Sequence, residues 1–126
     1  MRHEPSIEIL RYAAFSADPA GGNPAGVVLD ATGIDDSRMS AIAANVGFSE
    51  TAFVVARQDG SLNIRYFSPL TEIPFCGHAT IATAVAYAQR HGVGNLRLRT
   101  KAGPVSVSTS IATDGSVVTP TAGAAA

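Results

Sequence analysis

The sequence predicts an α+β fold, with a curved, largely antiparallel or mixed sheet wrapped round one buried helix at about residues 79–91. Three observations predict it. About seven short segments carry strand patterns, against two with a helical period. The strand segments do not alternate with helices, which argues against a parallel doubly wound sheet. The stretch opening at Ala79, ATIATAVAYAQR, is apolar or Thr on every side from Ala79 to Ala88. A helix without a polar face must be covered on most of its surface.

IEILRYAAF (7–15) mixes β-branched and aromatic residues and predicts a strand. SADPAGGNP (16–24) is a loop, broken by Pro19, Gly21, Gly22 and Pro24. AGVVLDA (25–31) is a short apolar run, expected as a covered strand. A helix follows. Asp35 or Asp36 can cap it by accepting backbone N–H bonds. Met39, Ile42, Ala43 and Val46 fall on one face, and Gly47 is a natural stop.

TAFVVA (51–56) is the next strand, joined by a hairpin at Asp59-Gly60 to LNIRYF (62–67). There Leu62, Ile64 and Tyr66 alternate with Asn63 and Arg65, the mark of a half-buried strand. SPLTEIPF (68–75) is irregular, because Pro69 and Pro74 interrupt it. The central helix ends with Arg90 and His91 in its last turn and Gly92 beyond. LRLRT (96–100) and VSVS (105–108) are strands either side of a turn at Gly103-Pro104. VVT (117–119) follows a turn at Asp114-Gly115, and residues 120–126 are expected as a disordered tail.

A chain of 126 residues fits one domain with its own core. The net charge of −1 carries no basic run, so neither nucleic acid nor an anionic membrane is an expected partner. No apolar stretch reaches the length of a membrane span. MRHEPSIEIL lacks the apolar segment of a signal peptide. The single cysteine, Cys76, cannot form an internal disulfide and fits a reducing cytoplasm.

The chemistry collects at the mouth of the central helix, in PFCGHAT (74–80). The first turn of a helix leaves N–H groups unpaired, and with the dipole they favour an anion. Gly77 lets a carboxylate approach the backbone. His78 can give or take a proton near neutral pH. A helix terminus lowers a thiol pKa, so Cys76 is expected below the ordinary thiol range. Plain readings compete with these. A lone Cys often only packs, His78 can be a structural cap, and Glu50 and Glu72 can be solvated surface charges. Asn23 can be a turn former.

Three blocks, GGNPAGVVLDA (21–31), MSAIAANVGFSETAFV (39–54) and YFSPLTEIPFCGHATIATAVA (66–86), resemble consecutive blocks of the phenazine-biosynthesis PhzF-like isomerase family. The resemblance runs from about residue 7 to 119, and residues 1–119 are expected to form the N-terminal lobe. It implies a fold similar to diaminopimelate epimerase, in which two lobes each wrap a sheet round a central helix. The site lies in the cleft between them, with both helix N-termini facing the substrate carboxylate.

The resemblance implies that Glu50 transfers the proton, with no cofactor and no metal, on a small carboxylate substrate. Ser49, Gly77, His78 and Ala79 match substrate-contacting positions, and Asn23 matches a motif position near the cleft. Related epimerases use a cysteine near this helix start as an acid–base thiol, and here Cys76 is ranked as a neighbour of the site. The family's second lobe, with its own helix start and an aspartate that pairs with the glutamate, has no counterpart in these residues. The expected partner is therefore a second copy of the chain or a separately encoded lobe. The alternatives are a lone carboxylate-binding lobe and a truncated, inactive family member.

Overall fold

The computed structural model describes residues 7–14, 23–47, 50–58, 60–111, 113, 115, 117–118 and 122–123. Of the loop expected at residues 16–24, residues 16–22 lie outside them, as do Asp59, Asp114 and the site candidate Ser49, whereas Asn23 and Pro24 open a strand. Strands β1 (Leu10–Ala14) and β2 (Asn23–Val28) pair antiparallel. Helix α1 (Asp36–Val46) starts on Asp35, whose carboxylate accepts from the Arg38 amide, and stops at Gly47 in the left-handed region, φ 77°. Strands β3 (Glu50–Gln58) and β4 (Ser61–Phe67) form the expected hairpin. A two-residue strand, β5 (Glu72–Ile73), lies on β4 within the segment expected to be irregular.

Helix α2 (Gly77–His91) begins two residues before the expected Ala79, so Gly77 and His78 belong to its first turn. Strands β6 (Asn95–Thr100) and β7 (Gly103–Ser108) pair across Lys101 and Ala102. The break expected at Gly103-Pro104 thus falls two residues earlier. Two further pairs, β8 (Ser110–Ile111) with β9 (Val117–Val118) and β10 (Ala122–Gly123) with β7, complete the chain. Where a disordered tail was expected, Ala122–Gly123 adds to the free edge of β7, opposite Val107 and Ser106. The other residues of 120–126 lie outside the described ones.

The main sheet runs β1-β2-β3-β4-β6-β7-β10, with β5 on β4. Two neighbour pairs are parallel, β2 with β3 and β4 with β6, and the rest are antiparallel, so the sheet is mixed as expected. Helix α2 touches β1 and β2 at one end of this order and β7 and β10 at the other. A single helix can meet both ends only if the sheet curls round it.

The helix side of that wrapping is built from small residues. Ala79, Ala82, Ala84, Ala86 and Ala88 are buried with Thr80 and Thr83. Both threonine hydroxyls donate to carbonyls one turn back, at 2.7 Å, so neither is left unpaired in the core. Against them pack the inward residues of alternating strands: Leu62, Ile64 and Tyr66, then Leu96 and Leu98, then Val105 and Val107. A second core lies on the outer face of β3 and β4, where Met39 and Ala43 of α1 cover Val28, Phe53 and Phe67. The Phe53 and Phe67 rings meet edge to face at 5.5 Å. No helix among the described residues is long and apolar enough to cross a membrane.

Candidate active site

Glu50 opens β3, held in parallel register with Ala25 of β2. Cys76 is the residue before α2, and its side chain does not cap the helix. His78 lies in the first turn. These three side chains, from two elements 26 residues apart, converge. His78 Nε2 lies 2.8 Å from Glu50 Oε1. The Cys76 thiol donates to the same oxygen at 3.4 Å, and Cys76 Sγ is 3.4 Å from His78 Nδ1. Glu50 and His78 keep about a fifth of their side-chain surface exposed, at 18% and 19%. Cys76 is buried.

The sulfur corrects the expectation of a lowered pKa. Burial pushes the Cys76 thiol up to about 11, and the Glu50 charge beside it adds to the rise. The amides of Ala79 and His78 pull the other way and lose. At neutral pH Cys76 is therefore a thiol that donates to Glu50.

The helix start is held from beneath. The Thr80 amide and hydroxyl both donate to the Cys76 carbonyl, at 3.0 and 2.7 Å. Thr80 has then used its only hydroxyl proton. The buried Tyr66 hydroxyl, 2.6 Å from Thr80 Oγ1, must be the donor in that pair. Burial keeps the phenol neutral, with its pKa pushed up to about 12. Gly77 has open space above it: a Cβ there would meet nothing within 4 Å. Its backbone is accessible to a ligand carboxylate, and the fold does not need a glycine at that place.

The loop leading to the site is also fixed. Ser68 closes a tight turn, with its amide and hydroxyl both donating to the Thr71 carbonyl, at 2.8 and 3.0 Å. Glu72 was expected as a solvated loop charge. It instead accepts two hydrogen bonds from Arg65, and a third from Lys101 at 2.8 Å. Arg65 holds the Glu72 carboxyl at a pKa of about 2, and also reaches Asp36 in the first turn of α1 at 2.7 Å.

Of the site candidates, Glu50, Cys76, Gly77, His78 and Ala79 come together. Asn23 begins β2 opposite Ala14, and its side chain lies outside the described atoms, as does all of Ser49. Tyr66, Thr80 and Arg65 were not among the candidates. Thr80, four residues after Cys76, could have been found from helical spacing. Tyr66 and Arg65 carried no signal beyond strand alternation.

Residues 12–123 match the family described as phenazine biosynthesis-like protein, PhzC-PhzF. Among curated relatives, the uncharacterized isomerase YddE of Salmonella typhimurium is 44% identical over 88 residues, 70% of this chain and 30% of that protein. The trans-2,3-dihydro-3-hydroxyanthranilate isomerase of Pseudomonas aeruginosa is 38% identical over 93 residues, 73% of this chain and 34% of that one. A solved structure of a Bacillus anthracis PhzF-family protein superposes with a TM-score of 0.79 at 38% identity, covering 88% of this chain and 38% of that chain. The chain thus spans about a third of the length of these relatives.

Proposed function

Because this chain belongs to the phenazine biosynthesis-like (PhzC-PhzF) family, we propose that it serves a cofactor-independent isomerase or epimerase that moves a proton on a small carboxylate substrate, with Glu50 as acid and base. The observation that carries this reading is the convergence of Glu50 on His78, at 2.8 Å, beside the open N-terminus of α2. The substrate carboxylate would rest on the amides of Gly77, His78 and Ala79, where the helix dipole favours it. Glu50 would take a proton from one substrate carbon and return it to another, so the reaction needs no net donor. His78 would steady the carboxylate of Glu50 or of the substrate.

With Glu50 and His78 partly exposed, this lobe offers one wall of a cleft. We place the opposite wall on a further lobe or on a second copy of the chain, since proton transfer gains from a closed, dry site. The reading is tested by proton exchange in D2O, using trans-2,3-dihydro-3-hydroxyanthranilate, the substrate named for the Pseudomonas relative. Deuterium should enter the substrate, and Glu50→Gln should slow this by about 100-fold or more. Exchange at the unaltered rate in that variant would remove Glu50 as the base. Carboxylate binding without any exchange would support a binding lobe instead. Light scattering with and without a small aromatic carboxylate shows whether ligand draws two copies together.

A further inference from the structure

We propose that Glu50, Cys76 and His78 also form a binding site for one thiophilic divalent cation of the zinc class. A thiol, an imidazole and a carboxylate each offer a ligand atom, all within 4.8 Å of one another. A tetrahedral zinc ion, with Zn–S near 2.3 Å and Zn–N or Zn–O near 2.0–2.2 Å, sets sulfur about 3.5 Å from its N and O neighbours. Cys76 Sγ lies 3.4 Å from Glu50 Oε1 and 3.7 Å from His78 Nε2. The Glu50–His78 pair, at 2.8 Å, must open by roughly half an ångström, and the His78 ring, whose Nδ1 now lies 3.4 Å from the sulfur, must turn so that Nε2 alone faces the ion.

The donor set selects the ion. Thiolate and imidazole suit zinc and its neighbours, whereas magnesium and calcium take oxygen ligands. Three protein ligands leave the fourth position for water or a ligand, and the exposed fraction of Glu50 and His78 gives an entry path. The ligands are held on firm elements. Glu50 is in the parallel ladder of β3, and the Cys76 carbonyl is tied to Thr80 and through it to Tyr66. On binding, the cation takes the place of the thiol proton, which leaves to solvent, and of the proton between His78 Nε2 and Glu50, which moves to Nδ1. A bound cation would also engage Glu50 and stop its proton transfer. That consequence rests on the reading of Glu50 as the base, whereas the binding itself does not.

Equilibrium dialysis of the purified chain against zinc sulfate should give one ion per chain at micromolar concentration. Cobalt(II) should bind with a sulfur-to-cobalt charge-transfer absorption in the near ultraviolet. Cys76→Ala and His78→Ala should each weaken zinc binding by about 100-fold, and Cys76→Ala should abolish the absorption. Cys76→Ser provides the same comparison where the alanine variant fails to fold. No zinc bound at about 100 μM, or binding unchanged in the cysteine variants, would overturn the proposal. Deuterium exchange measured in chelator tests the Glu50 reading by itself, so the two ideas fail separately.

Discussion

Arg65 grips Glu72 through two parallel hydrogen bonds, Nε to Oε2 at 2.8 Å and Nη2 to Oε1 at 2.7 Å. Such a fork fixes direction as well as distance. It ties β4 to the loop that delivers Cys76 and His78, while the third nitrogen of the same guanidinium reaches Asp36 of α1. Lys101, from the β6–β7 turn, closes the group on Glu72. Four separate parts of the chain thus join in one ion-pair group, centred on Arg65 and Glu72 just ahead of the site.

This grouping predicts an acid limb of stability. The folded pKa of Glu72 lies near 2, below its ordinary 4.5. Its contribution is therefore present above pH 4.5 and is lost as the pH falls toward 2. With the group partly open to solvent, the loss should amount to about 1–2 kcal/mol. Urea midpoints measured between pH 2 and 6 should fall for the parent chain, and Glu72→Gln should lower the midpoint at pH 6 and flatten the acid limb. An identical limb in the variant would refute the assignment.

Cys76 should react slowly with alkylating reagents. A thiol pKa near 11 instead of 9.0 leaves about 100-fold less thiolate at pH 8. Glu50→Gln removes the charge that helps hold the proton, and should speed labelling by iodoacetamide. A rate equal to that of a free thiol in the parent chain would show the pKa to be ordinary. Because this pKa is raised on folding, the stability it carries is whole below pH 9 and declines between pH 9 and 11.

Gly77→Val should separate binding from folding. The space above Gly77 is open, so the thermal midpoint should shift by only a few degrees. The new side chain would crowd the first-turn amides, and affinity for a small aromatic carboxylate should fall by tenfold or more. Calorimetry showing undiminished carboxylate binding would mean that the helix mouth is not the anion site.

Gly26 is required for a different reason. It pairs with Thr51 between β2 and β3, and a Cβ there would lie 2.9 Å from Thr51 Oγ1 and 3.3 Å from Val46 Cγ1. Gly26→Ala should cost about 1–3 kcal/mol by overpacking. Thr51 Oγ1 is buried without a hydrogen-bond partner among the described residues, so Thr51→Ala sacrifices no bond there while making room. The double variant should be more stable than the sum of the two single changes. Strict additivity in chemical denaturation would show that the two residues do not press on each other.

Much of this was legible in the sequence where the signal is local. Leu62, Ile64 and Tyr66 face the inner core as their alternation predicts, and Gly47 ends α1 in the left-handed conformation. The family blocks pointed to Glu50, Cys76 and His78, which do meet. Partners distant in sequence were not legible. Nothing in alternation says that β2 pairs parallel with β3, or that β4 pairs parallel with β6. Glu72 read as a loop charge because Lys101 lies 29 residues away. The sign of the Cys76 shift was misjudged because the dipole argument is local, whereas burial and Glu50 come from the fold.

The contact of α2 with both ends of the sheet bears on how the chain reaches its native state. β1 ends at Ala14 and β10 begins at Ala122, yet both lie on the same helix. The curled sheet cannot close until segments that distant in sequence have met, and their loop-closure entropy is spent before the contacts reward it. Such a topology folds in milliseconds to seconds, not microseconds. During synthesis the alanine-rich helix emerges well before its last strands, and stands partly uncovered until they arrive.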